Sequence, residues 1–66
     1  MLYLEVPQAW RGTAREALRG LGAKVAWADY TDGSTLWAFV FSGVNVDKVK
    51  GALRAEGLQW FNLRAA

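Results

Sequence analysis

The sequence predicts one small α+β domain, a two-layer sandwich with two helices on one face of a four-stranded antiparallel sheet. Three observations lead to this fold class. Apolar residues alternate with a period of two in the strand-like segments, and they recur three and four residues apart in two other segments. Glycine-containing turns separate the segments. The 66 residues are enough for a single domain, which we expect to span 1–66.

The first strand and the first helix are predicted at the start of the chain. Apolar and polar residues alternate over 2–6, which indicates a half-buried strand. Pro7 ends this strand and suits the first turn of a helix. A helix is predicted over 8–21, and its apolar face consists of Trp10, Ala14, Ala17, Leu18 and Leu21. Gly20 and Gly22 are placed to end it.

A hairpin is predicted in the middle of the chain. Residues 25–30 and 35–41 both have strand composition, and Asp32-Gly33 between them is a turn signal. Trp27 and Tyr30 have opposite parity in the first of these strands, so the sequence leaves open which of them faces the helices.

The second helix and the last strand complete the order. Asn45 is a suitable N-cap and Asp47 supplies a negative charge to the first turn, while Gly57 is placed as the C-cap. A strand over 58–64 follows, with its register left open. The order is β-α-β-β-α-β, and right-handed crossovers put both helices on one face. This is the ferredoxin-like arrangement.

The uncovered face of the sheet is expected to carry aromatic residues. On the third strand the smaller residues suit packing against helices; they are Leu36, Ala38 and Val40. The alternate residues then face outward beside the first strand. The predicted cluster is Tyr3, Trp37, Phe39 and Phe41, joined by Trp60 or Phe61 from the last strand. A contiguous exposed apolar patch marks an interaction site, so we predict binding through this cluster.

Three kinds of occupant fit such a surface: a second copy of the chain, a partner protein or small ligand, and a single-stranded nucleic acid. A chain this short buries little surface, and the usual remedies are disulfides, a metal or oligomerisation. There is no cysteine or histidine, which excludes disulfides and argues against a zinc site. We therefore expect a homodimer or a docked protein partner.

The nucleic-acid alternative has a resemblance behind it. Leu2-Tyr3-Leu4 and Trp37-Ala38-Phe39-Val40 resemble the two short signatures of the RNA recognition motif, on its first and third strands. The resemblance covers these two segments only. It implies single-stranded RNA binding, with Tyr3, Trp37 and Phe39 stacking on bases.

Basic residues follow the exposed side of the first helix. Arg11, Arg15 and Arg19 are four residues apart and form a ridge, which would face phosphate or acidic groups or simply be solvated. The net charge of +2 permits an acidic partner without requiring one. Lys24 and Arg64 are the basic residues expected to flank the open sheet.

Catalysis is not predicted, and neither is a cofactor, a metal or a membrane partner. Without histidine or cysteine the chain lacks the usual general base and thiolate nucleophile. One enzymatic alternative stays open: Glu5, near the end of the first strand, could serve a metal-dependent nuclease formed across a dimer. No apolar run reaches the ~20 residues of a membrane helix, and we expect a cytoplasmic protein.

Overall fold

The computed structural model describes residues 1–31, 33 and 35–66. Its elements follow the predicted order. They are β1 Leu2–Pro7, a 3-10 turn Gln8–Trp10, α1 Arg11–Gly20, β2 Lys24–Tyr30, β3 Leu36–Ser42, α2 Val46–Ala55 and β4 Asn62–Ala65. The predicted Asp-Gly turn falls partly on Asp32, which lies outside the described residues.

The four strands form one open antiparallel sheet with the order β2-β3-β1-β4. β1 and β3 are adjacent and central, as predicted, so β2 and β4 are the two edges. The pairing of β2 with β3 shifts by one residue between Val25 and Trp27, which is a β-bulge. The predicted α+β class is therefore confirmed.

Both helices end where the sequence indicates. The Lys48 backbone N–H donates to Asn45 Oδ1 at 2.9 Å, which confirms the predicted N-cap of α2. Gly57 has φ +90°, and Gly22, two residues beyond α1, has φ +77°. These are left-handed conformations that favour glycine at a helix C-terminus. α1 is shorter than predicted because its first residues form the 3-10 turn.

The core lies between the two helices and one face of the sheet. Each helix contributes two fully buried side chains, Ala14 and Leu18 from α1 and Val49 and Leu53 from α2. From the sheet, β1 contributes Leu4 and Val6, as predicted, and Leu58 joins from the segment after α2. Both helices therefore cover the same face, and the other face is open.

The predicted orientation of β3 is wrong. The cross-strand partners of Trp37, Phe39 and Phe41 are Val6, Leu4 and Leu2 respectively. Directly opposite residues share a face, so the three aromatic residues of β3 lie on the helix side. Phe39 and Phe41 are fully buried. Two ten-residue helices bring few large side chains to the core, and the rings supply the missing volume.

The end of the chain also departs from expectation. β4 is four residues long, and Trp60 and Phe61 both precede it. Phe61 is partly buried against the core, while Trp60 is exposed. Neither residue extends an aromatic cluster on the open face, because the chain joins the sheet only at Asn62.

Candidate binding surface

Two rows of cross-strand neighbours make up the centre of the open face, with one residue from each strand in each row. The first row consists of Trp27, Val40, Tyr3 and Arg64. The second consists of Asp29, Ala38, Glu5 and Asn62. These eight residues are hereafter the open-face rows. Their side chains point away from the helices because their alternate neighbours form the core.

The half of the open face over β2 and β3 is apolar except for Asp29 at the sheet edge. Trp27 is 46% exposed and lies beside half-buried Val40 and buried Ala38. A depression of about 490 Å³ extends from Trp27 past Leu36 to Tyr3 and Glu5. This half therefore offers an exposed indole next to a low aliphatic surface.

The half over β1 and β4 is polar and internally bonded. The Tyr3 hydroxyl donates to Glu5 Oε2 at 2.8 Å, and Asn62 Nδ2 donates to Glu5 Oε1 at 3.0 Å. Arg64 Cζ lies 4.5 Å from the centroid of the Tyr3 ring, within cation–π distance. Both carboxylate oxygens are thus satisfied, and the four side chains hold one another in place.

These bonds shift two pKa values in opposite directions. The hydrogen bond from Tyr3, followed by that from Asn62, lowers the pKa of Glu5. Partial burial, followed by the hydrogen bond to Glu5, raises the pKa of Tyr3. Glu5 is therefore a stable carboxylate and Tyr3 a stable phenol near neutral pH.

Of the four residues predicted for the aromatic cluster, Tyr3 alone lies on the open face. Trp37 contacts Phe39 with a ring-centroid distance of 6.5 Å and Tyr30 with one of 4.9 Å, all on the helix side. The sequence pattern did not assign Trp27 to the open face, because the bulge in β2 interrupts the regular alternation of side chains between the two faces. Arg64 lies beside the open face as predicted, and its contact with the Tyr3 ring gives it a defined position.

The arginine ridge on α1 lies beside β2. Arg11 Nη1 donates to the Tyr30 hydroxyl at 2.9 Å, and Arg11 Cζ is 5.1 Å from the centroid of the Trp37 ring. Arg15 and Arg19 line a groove between α1 and β2. The predicted ridge therefore divides into one arginine held by aromatic rings and two that face the groove.

Family models, curated proteins and solved structures were compared with the chain. None of them matches it. Among residues 1–31, 33 and 35–66, no group of three or more histidine, cysteine or acidic side chains is placed to hold a metal ion. No helix in this part of the chain is both long and apolar enough to cross a membrane. The open face and the groove beside α1 are therefore the features of the molecule that bear on function.

Proposed function

We propose that the protein is a non-catalytic interaction module that associates with a second copy of itself through the open face of its sheet. One observation carries the proposal: the first open-face row has exposed Trp27 at one end and the Arg64–Tyr3 pair at the other. A row with two complementary ends can pair with its own copy, which is what a two-fold interface requires.

The pairing follows from the geometry of two stacked sheets. A two-fold axis between the sheets and parallel to the strands reverses the strand order and keeps the rows in register. Trp27 of each copy then faces Arg64 of the other, and Val40 faces Tyr3. Sheets that pack face to face stay within about 30° of parallel and about 10 Å apart, so these side chains can interdigitate.

The second row fits the same arrangement. It brings Glu5 opposite Ala38 of the other copy and Asp29 opposite Asn62. A carboxylate buried without partners would oppose association. Glu5 already accepts hydrogen bonds from Tyr3 and Asn62, which reduces the cost of covering it.

The chain itself also favours association. A domain of 66 residues has a small core. Covering the open face with a second copy would add a second interface from which water is excluded. Within this proposal we assign the sandwich to the ferredoxin-like class, from its β-α-β-β-α-β order and its adjacent central strands β1 and β3. A cytoplasmic location stays a prediction from the sequence.

Light scattering behind a sizing column, over a range of concentrations, tests the proposal. We expect a dimer for the wild type and a monomer for Trp27→Lys, because the ammonium would face Arg64 of the other copy. Trp60→Lys is the matched control, since Trp60 is 52% exposed and lies outside the open-face rows. A monomeric wild type, or equal masses for the two variants, would contradict the proposal.

Nucleic-acid binding is the outcome that would replace it. The stacking roles implied for Trp37 and Phe39 require accessible rings, whereas both lie on the helix side and Phe39 is fully buried. The remaining base platform would consist of Tyr3 and Trp27. A monomeric wild type whose tryptophan fluorescence is quenched by a single-stranded oligonucleotide, with strong salt dependence, would favour this alternative.

A further inference from the structure

A second surface, separate from the open face, lies between α1 and the edge strand β2. Arg15 and Arg19 form its helix wall, and Gly22, Ala23, Val25 and Ala28 form the rest. The groove has a volume of about 330 Å³. Val25 is 43% exposed there, so the groove has an apolar floor below a basic wall. We refer to it as the α1–β2 groove.

The strand that borders the groove has an outer edge that pairs with no other strand of the described residues. β2 pairs with β3 on one side only, and six of its seven residues are exposed. The Thr31 N–H donates to the Leu36 carbonyl oxygen, so alternation directs the backbone groups of Asp29 toward β3. The backbone groups of Ala28 and the carbonyl oxygen of Tyr30 then point outward, while the Tyr30 N–H donates to Asp29 Oδ1 at 2.7 Å. An extended segment can add to such an edge through backbone hydrogen bonds.

The charges along the groove specify the kind of segment. Among the described residues, no carboxylate lies within ion-pair distance of Arg15, and Arg19 meets only Glu16, at 3.8 Å on the exposed helix surface. Two cations beside an apolar floor complement glutamate side chains, whose methylene groups can cover the floor while their carboxylates reach the arginines. The adjacent β2 edge supplies the backbone partners that a free anion would not use.

The spacing of the arginines matches an extended chain. α1 runs antiparallel to β2, because Arg11 contacts Tyr30 while Arg15 and Arg19 lie beside Val25 and Ala28. Four residues of helix advance about 6 Å, and two residues of strand advance about 6.6 Å. Carboxylates at alternate positions of an added strand therefore have the same repeat as these two arginines.

We propose that the α1–β2 groove binds an extended acidic segment of a partner protein. The segment adds to β2 as a fifth strand, and its alternate carboxylates face Arg15 and Arg19. The site is independent of the proposed self-association, because the groove opens at the sheet edge on the helix side and the open-face rows lie on the other side.

The test is an NMR titration of the ¹⁵N-labelled protein with a synthetic acetylated peptide of alternating glutamate and valine. We expect the amide signals of β2 to shift, and the Ala28 amide to gain protection from hydrogen exchange. A second peptide with the same sequence carries an N-methyl group on every residue, which keeps its charge and removes all of its backbone N–H donors. It should bind at least about tenfold more weakly, since several backbone bonds are lost.

Two double variants distinguish binding of the peptide in the groove from general electrostatic attraction between the peptide and the protein. Arg15→Glu with Arg19→Glu and Lys48→Glu with Arg54→Glu each convert two cations to anions, so each takes the net charge from +2 to −2. The first should weaken binding of the acidic peptide at least about tenfold more than the second. Equal losses, equal binding of the N-methylated peptide, or signal shifts confined to the open face would overturn the proposal.

The association state is measured in the same samples. The Arg15→Glu/Arg19→Glu variant should keep the wild-type molar mass. Arg64→Glu, at the far edge of the sheet, should abolish the proposed dimer and still bind the peptide. A protein that is monomeric but binds the peptide in the groove refutes the self-association alone, and a dimer without peptide binding refutes the groove alone.

Discussion

The two faces of the sheet come from the same four strands and differ in how their side chains are satisfied. On the helix side, the side chains are stabilised by apolar packing, and four of them are fully buried: Leu4, Val6, Phe39 and Phe41. On the open side, Glu5 is held by hydrogen bonds and Tyr3 by Arg64. The difference shows that a small domain uses its largest apolar side chains to fill its core. Aromatic content alone therefore does not identify a binding face.

Removing a ring from the core should have the largest effect. Phe39→Ala is expected to lower the free energy of unfolding by about 3–5 kcal/mol, because it leaves a cavity between the sheet and both helices. Val40→Ala changes the next residue, half-buried on the open face, and should cost less than about 1.5 kcal/mol. Urea unfolding followed by circular dichroism compares them. Similar losses would mean that the two faces are not distinct.

The next largest difference is expected between the effects of substituting Trp37 and Trp27. Trp37 is half-buried on the helix side among Arg11, Tyr30 and Phe39, so Trp37→Lys should destabilise the monomer by about 2 kcal/mol or more. Trp27→Lys should leave the thermal midpoint of the monomer within a few degrees and change the molar mass instead. Thermal unfolding at low concentration, together with light scattering, distinguishes the two outcomes. The reverse pattern would reassign the tryptophans to the opposite faces.

A smaller effect is expected at Glu5, and it depends on pH. Its pKa in the folded state lies below the ordinary value of 4.5, so its contribution to stability is present above that pH. The contribution is lost as the pH falls through the folded-state pKa. Glu5→Gln should cost less than about 1 kcal/mol at pH 7, since the cluster is partly solvated. The difference from wild type should shrink below pH 4.5.

Tyr3→Phe is the control for that mechanism. It keeps the ring under Arg64 and removes the hydroxyl that donates to Glu5. The pKa of Glu5, followed by NMR titration of its side-chain carboxyl carbon, should therefore rise toward 4.5. An unchanged titration curve would show that the Tyr3 hydroxyl does not set the pKa of Glu5.

Sequence patterns predicted the order of the elements and the caps of α2, because these depend on local chemistry at Asn45 and Gly57. They failed on the orientation of β3, where nearly every residue is apolar and both parities are plausible. Only the volume required between the sheet and the two helices decides that Phe39 and Phe41 face inward. Long-range packing of this kind cannot be predicted from any short segment of the sequence.

Even less of the open face could be predicted from the sequence. Tyr3 was predicted there from simple alternation in β1. Trp27 was not, because an extra residue in β2 breaks the alternation. The bond from Asn62 to Glu5 joins β1 to a residue 57 positions further along the chain, and its existence depends on the register with which β1 pairs with β4.

The bulge in β2 also has a meaning for how such a surface could change over generations. Val25 pairs with Phe41 on the helix side, whereas Trp27, two residues later, pairs with Val40 on the open side. Deletion of Ala26 would let the same two pairs form by plain alternation, with Val25 still on the helix side and Trp27 still on the open side. The bulge thus allows this edge strand to gain or lose one residue while the indole keeps its face and the core sequence stays untouched.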